Sequence, residues 1–346
     1  MIIAYGLERT LILESQNWQY HEGGWDRIFK SLSNSCTTAD AVATVDWPGS
    51  HDSTVIRLPQ VDRLSHRSQY LPLAVPEDLV NRLKIIHGNP IVWWIGQILK
   101  YVWKLQPRTT RYINYQMEKI GIEHPFVGIQ VRRTDKLVNE AKFYSIEKYM
   151  DIVDEYYNSI ELKTNFTKRR VYIATEDYSV ITETKAKYPQ YEILHNPNIP
   201  KIPKVNPIHS FDNIFDLILD IHILLRSNLL VCTLSSNLCR LLYTLMETNY
   251  LDGSANVISI DSVYWYHNQE YNKRKVILSH NAENAAEIDL IPGDIIDVDE
   301  YSLNGYSLGT NFRTKKTGWF PSFKVEVEIE VVKFPTYSNI DNKKTL

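Results

Sequence analysis

A chain of 346 residues with 44% hydrophobic and 23% charged residues is long enough to bury two or three cores and has the composition of a folded protein. With 38 Lys and Arg against 41 Asp and Glu the net charge is −3, which excludes wholesale nucleic-acid binding and leaves anion recognition to local patches. The most apolar run, IVWWIGQIL at 91–99, is too short to span a membrane and reads as a core helix.

Residues 1–120 read as an α/β unit that is incomplete at its start. The opening MIIAYGLERTLILES has no signal-peptide pattern; it is an amphipathic start running into an apolar strand from Thr10 to Glu14. Helical patterns follow at Glu77 to Ile86, behind Pro76, and at Ile91 to Trp103. Gly23, Gly24, Pro48, Gly49 and Pro59 punctuate the loops between them.

From 121 to 270 strands and helices alternate. Strand FVGIQV (126–131) leads to helix Ser145 to Tyr157, strand VYIAT (171–175), helix Val180 to Tyr188 and strand YEIL (191–194). A loop with Pro197, Pro200, Pro203 and Pro207 then enters helix Ile214 to Leu225, strand LLVCTL (229–234) and helix Asn237 to Met246. Alternation of this kind predicts a parallel sheet covered on both faces, with ligands beyond the carboxyl ends of its strands. Those ends read RRTDK, TED and SSN.

Residues 271–334 change character: RKVILSH, IPGDIIDV, NGYSLGT, KTGWFPSFKV and VEIEVV are short strands between turns, the pattern of a small β-barrel, and 335–346 form a tail. IPGDIIDV and TGWFPSFKV resemble the SH3 family. Ile277, Leu278, Ser279 and His280 stand where SH3 domains carry first-strand aromatics, which argues against a proline-peptide groove.

Arg132 and Arg133, side by side after a buried strand, offer forked donors suited to a diphosphate; the alternative is an ion-pair cluster with Asp135 and Glu140. Ser235 and Ser236 precede a helix, where hydroxyls and free N–H groups hold an anion or simply cap the helix. Asp220, four residues after Asp216 on an apolar helix, is a structural carboxylate or an acceptor for the N1–H and exocyclic amine of guanine. Glu176-Asp177 is adjacent rather than alternating, and no His or Cys cluster has ligand spacing, so no catalytic cation is expected. Glu140, on the loop past the arginines, is the general-base candidate. Of the cysteines 36, 232 and 239, the last two are spaced to pair across a tight turn or to sit as buried thiols. Asn165-Phe166-Thr167 is a glycosylation sequon.

VRRTDKLVNEAKF, RRVYIATED, LILDIHILLRSNLLVCTLSSNLCR, DLIPGDIID and FPTY, with LILESQNW and YLPLAVPEDL near the start, resemble the eukaryotic α-1,6-fucosyltransferases that make core fucose on N-glycans. The resemblance runs from Ile2 to about Tyr337. It implies a GT-B-like glycosyltransferase with a Rossmann-type parallel sheet at 121–270 and an SH3-like barrel. The implied reaction is metal-free, inverting transfer of L-fucose from GDP-fucose to the 6-hydroxyl of the innermost GlcNAc.

By the same resemblance Arg132, Arg133, Ser235, Ser236 and Asn237 bind the donor diphosphate, Tyr20 the ribose and Asp220 the guanine. Asp135, Lys136, Tyr149, Glu176 and Asp177 order the donor loop, and Glu140 is the base. Asp62 and Asp261 touch the N-glycan, and Cys232 pairs with Cys239. The chain departs from the family at Gln130 and Ser302, usually histidines, at Glu176, usually aspartate, and at Asn237, usually glutamine. Family members also carry an upstream membrane anchor, a helical stem and a Gly/Cys-rich donor loop. The chain therefore reads as a fragment of a Golgi-lumenal enzyme whose longer form is a homodimer, and Cys36 has lost its partner. The competing readings are a catalytically inactive GDP-sugar or glycan-binding fragment, and an SH3-type interaction protein.

Overall fold

The computed structural model describes residues 1–16, 18, 20–33, 36, 43–59, 63–133, 143–163, 168–199, 211–266, 272–302 and 304–335. Helix α1 (Ile2–Gly6) is followed by two short parallel strands, β1 (Thr44–Asp46) and β2 (Val55–Arg57), and by the buried strand β3 (Ala74–Pro76). Helices α2 (Val80–Ile86), α3 (Pro90–Val102) and α4 (Pro107–Ile120) come next. Helix α3 starts where Asn89 accepts the Val92 N–H and Pro90 fills the first turn. Helix α4 starts at Pro107 and stops at Gly121, which takes the left-handed conformation.

Two differences from expectation fall in this region. Thr10 to Glu14 is irregular rather than a strand: no pairing segment lies beside it among the described residues, and Leu13 is exposed. Helix α4 buries only Thr109, Ile113 and Met117, a stripe too thin for periodicity to announce it.

The central unit contains β4 (Val127–Val131), α5 (Ile146–Glu161), β5 (Arg170–Thr175), α6 (Tyr178–Lys187), β6 (Glu192–His195), α7 (Phe211–Leu224), β7 (Leu229–Cys232), α8 (Asn237–Met246) and β8 (Val257–Ser259). Its five strands are all parallel, in the order β6-β5-β4-β7-β8. Strand alternation assigns the faces. Val127, Ile129, Val131, Val171, Ile173, Leu229 and Val231 meet α5 and α6, whereas Tyr172, Ala174, Leu230 and Cys232 meet α4, α7 and α8. Gly128 lets α7 approach closely, since a Cβ there would stand 2.7 Å from Leu224. Strand β8 is a fifth strand beyond those expected. Strand β7 ends at Cys232, not Leu234, because the Ser236 N–H bonds the Thr233 carbonyl and closes a turn.

The last unit is a five-stranded antiparallel sheet of β9 (Lys273–Val276), β10 (Ile295–Tyr301), β11 (Tyr306–Asn311), β12 (Thr317–Pro321) and β13 (Val325–Val327), around Val263, Val276, Ile288, Leu290, Ile296, Val298 and Phe320. VEIEVV is not one strand of it. After β13 the chain leaves the barrel, and β14 (Glu330–Val332) pairs in parallel with β3. The division follows packing, since Val327 and Ile329 lie on Val75, Val80, Leu83 and Ile91. No helix among the described residues is long and apolar enough to cross a membrane.

Candidate functional site

In a parallel sheet of this order the crossovers from β4 and β7 leave in opposite directions, so a crevice opens between the carboxyl ends of these two strands. Arg132 and Arg133 follow β4 and Thr233 to Ser236 follow β7; the Glu176 and Asp261 turns flank them after β5 and β8. Segments up to 129 residues apart thus converge through topology alone.

Glu176 and Glu183 fix the arginine pair. The Arg133 backbone N–H donates to Glu176 Oε1 at 2.9 Å, and Arg132 Nε lies 3.8 Å from the same oxygen. Arg133 Nη1 donates to Glu183 Oε2 at 2.8 Å, and the guanidinium covers the Phe143 ring at 4.9 Å. The other edge of that guanidinium, Nε and Nη2, is buried and has no hydrogen-bond partner among the described residues. Two parallel N–H groups on one pinned plane match two oxygens of a phosphate or carboxylate.

The β7–α8 turn is held from two sides. The Ser235 hydroxyl donates to Asp261 Oδ2 at 2.5 Å; the Ser259 hydroxyl (3.0 Å) and the Ser262 N–H (2.6 Å) reach Oδ1. Asp261 therefore organises the serine turn. From the helix side Arg240 Nη1 donates to the Leu234 carbonyl at 2.6 Å, Nη2 bonds Asn237 Oδ1, and the guanidinium lies 3.8 Å over Trp265. Ser236 is the N-cap residue of α8, is buried and makes no side-chain cap, so the first helical N–H groups are not closed off by its hydroxyl. Cys232 and Cys239 form a disulfide across this turn, and Cys36 is free and exposed.

Other expected residues occupy defined positions around the crevice. Tyr149, buried on α5, has its hydroxyl pushed up by burial and further by Asp261, while Arg133 acts against the shift. Asp177 caps α6 by accepting the Ser179 N–H at 2.9 Å. On α7, Asp220 accepts the Tyr172 hydroxyl at 2.5 Å. Burial pushes its carboxyl up to about 7, against the Tyr172 hydrogen bond and with added repulsion from Asp216. Tyr20 meets Trp18 edge to face at 5.3 Å, and its neighbour His21 meets Phe215 of α7 at 6.3 Å. Gln130 is buried on the α7 face of β4, and its Oε1 has no partner among the described residues. Ser302 lines a cleft of about 300 Å³ with Tyr243, Tyr264, Arg274 and Tyr301, where the barrel meets β8. Asp62, Asp135, Lys136, Glu140 and Asn165 lie outside the described residues.

Three supports of the site had no signal in spacing: Glu183, Tyr172 and the serines around Asp261. Arg240 had one, a lone arginine four residues after Ser236 on an apolar helix.

Residues 1–265 match the family model described as alpha-(1,6)-fucosyltransferase N- and catalytic domains. The chain is 43% identical over 339 residues to the alpha-(1,6)-fucosyltransferase of Drosophila melanogaster, covering 98% of this chain and 55% of that protein. Against the alpha-(1,6)-fucosyltransferase of Caenorhabditis elegans the identity is 33% over 340 residues, covering 96% and 61%. The chain thus spans little more than half the length of these relatives. Among solved structures it is similar to an SH3 domain of yeast NBP2 (24% identity, TM-score 0.16, 16% of this chain and 97% of that one). It is similar also to the second SH3 domain of yeast Bzz1 (27%, TM-score 0.15, 16% and 98%).

Proposed function

Because the chain belongs to the alpha-(1,6)-fucosyltransferase family, we propose that it is the catalytic region of an enzyme moving L-fucose from GDP-fucose, with inversion, to the 6-hydroxyl of the innermost GlcNAc of N-glycans. The observation that carries the reading is the Nε–Nη2 edge of Arg133 just past the carboxyl end of β4, held by Glu183 on its other edge and without a partner among the described residues. The strand order supports a Rossmann-type half of a GT-B-like enzyme, with an SH3-like barrel beside it.

In this reading Arg132 and Arg133 clamp the donor diphosphate, and the N–H groups opening α8 complete its cage. Charge developing on the leaving GDP is then balanced by guanidiniums, and no metal is assigned to the step. Asp220 accepts from guanine, Tyr20 borders the ribose, and Tyr149, Glu176 and Asp177 support the donor loop with Asp135 and Lys136. Glu140 takes the proton from the GlcNAc 6-hydroxyl as the new glycosidic bond forms and the bond to GDP breaks. Asp62 touches the N-glycan. Asp261 serves the acceptor through the serine turn that it orders, with Ser302 near the barrel cleft. The setting proposed is the Golgi lumen, with the longer form a homodimer.

The test is transfer from GDP-fucose to a biantennary N-glycan ending in GlcNAc, measured beside GDP affinity. Glu140→Gln should abolish transfer and leave GDP binding intact. GDP binding without transfer by the parent chain would mark a binding fragment, and absence of both would overturn the reading.

A further inference from the structure

On the opposite edge of the sheet three titratable side chains from separate segments meet. His87 opens the α2–α3 connection, Glu247 follows the last turn of α8, and Asp252 precedes the short 3₁₀ turn into β8. A ring nitrogen of His87 and one carboxylate oxygen from each acid lie within 4.8 Å of one another. Helix α8 is 10 residues long, so the cluster lies about 15 Å from the serine turn, at the far end of the helix.

Backbone approach builds the cluster. A Cβ on Gly253 would stand 2.6 Å from the Glu247 nitrogen, so only glycine lets the Asp252 turn close on the end of α8. A Cβ on Gly88 would stand 2.4 Å from the Ser254 hydroxyl, which brings the His87 segment equally near. The His87 ring stacks on Trp93 at 4.8 Å, which fixes its plane.

The hydrogen bonds leave specific atoms over. Glu247 Oε2 accepts the Gly253 N–H at 2.9 Å, but Oε1 is buried and unpartnered among the described residues. His87 Nδ1 is likewise buried and unpartnered. Asp252 uses Oδ1 on the Ser254 N–H and hydroxyl and Oδ2 on the Gly88 N–H at 3.3 Å, which leaves Oδ2 a lone pair. Among the described residues neither acid has an ion-pair partner. His87 and Glu247 are only 8% and 1% exposed, so bulk solvent reaches little of either side chain.

We infer that His87, Glu247 and Asp252 form a structural site for one borderline divalent cation of the Zn²⁺ type, with water in the remaining position. One imidazole nitrogen with two carboxylates suits zinc, whereas calcium and magnesium prefer all-oxygen shells. The carbonyl end of α8 adds negative potential on the same side. A bound cation would satisfy both orphaned atoms and tie α8, the α2–α3 loop and the entry to β8 together. The sequence hides the site, since 160 residues separate the histidine from the first acid.

The test uses the whole 346-residue chain, freed of metal with chelator and titrated with Zn²⁺ alone by calorimetry and thermal melting, with Ca²⁺ in parallel. The expected result is one Zn²⁺ per chain with a raised Tm and no shift from Ca²⁺. Glu247→Gln should weaken zinc binding roughly tenfold or more, yet melt without metal no lower than the parent, since it removes an uncompensated buried carboxyl. Asp252→Asn keeps the turn-capping oxygen and should also weaken zinc, which guards against misfolding of the first variant. Absence of one-to-one zinc binding, zinc affinity unchanged in both variants, or a preference for Ca²⁺ would overturn the site.

Discussion

The Ser235 hydroxyl donates to the Asp261 carboxylate across 2.5 Å, so the serine turn after β7 is fastened to the end of β8 rather than left to its own hydrogen bonds. The hydroxyl proton is thereby committed, as are the Leu234, Ser235 and Ser236 N–H groups, and it is the first backbone N–H groups of α8 that remain to meet an anion. Ser235→Ala and Asp261→Asn should each weaken GDP binding and should be strongly non-additive. The double variant should show a coupling of about 1.5 kcal/mol or more in the binding free energy. Strict additivity by calorimetry would mean that the pair does not shape the turn.

Arg133 distinguishes a diphosphate clamp from an ion-pair cluster. Arg133→Lys keeps the charge but loses the Nε–Nη2 fork, so GDP affinity should fall by about 10- to 100-fold. Glu183→Gln weakens the pin on Nη1 and the exposed Lys187 pair but keeps the fork, and should cost much less. Arg132→Lys, at a partly exposed position, should lower donor affinity with little change in Tm. Equal losses of stability and affinity in all three variants would favour the ion-pair reading.

The Asp220 carboxyl predicts a pH dependence of opposite sign to that of a salt-bridged acid. Its folded value, about 7, lies above the ordinary 3.8, so its contribution to stability is complete below the ordinary value and is lost as pH rises through about 7. Asp220→Asn should remove that decline in urea unfolding between about pH 4 and pH 7. Guanine N–H donors favour the ionised form, so GDP-fucose should bind the parent chain more tightly as the pH rises through this window, releasing a proton. The variant should bind weakly and without that slope.

The Cys232–Cys239 disulfide closes a short loop, a sequence separation of 7, around the serine turn. Chain entropy assigns such a loop about 2.5 kcal/mol of stability. The Cys232→Ser, Cys239→Ser double variant should unfold at lower denaturant and also lose GDP affinity, because the turn that the disulfide encloses is the proposed anion site. Lost stability with unchanged GDP affinity would show that the serines hold the turn without help.

Much of this organisation was legible because the central strands are short apolar runs between amphipathic helices, the pattern a two-sided sheet imposes. The ligand edge followed from the direction of those strands and not from any one residue. Helix α4 was hidden by its thin buried stripe, and β8 by its length of three residues. Thr10 to Glu14 misled because alternation shows that a segment could pair and says nothing of a partner. At the site, the arginines and serines were visible as residues out of place after apolar strands. Glu183 and Tyr172 were not, since each matters only through a contact that sequence distance conceals. VEIEVV failed as a single strand for a similar reason, one half being claimed by the barrel and the other by β3.

The pairing of β14 with β3 makes the barrel difficult to excise. Among the described residues Ala74 to Pro76 have no other strand partner, and Phe334 inserts among Tyr5, Tyr70 and Trp94. Cutting the chain behind the central unit would strip the hydrogen-bonding edge of β3 and uncover this aromatic nest together. Such an edge recruits strands from other molecules, so recombinant versions ending near residue 265 should aggregate, whereas those retaining residues through Pro335 should stay dispersed.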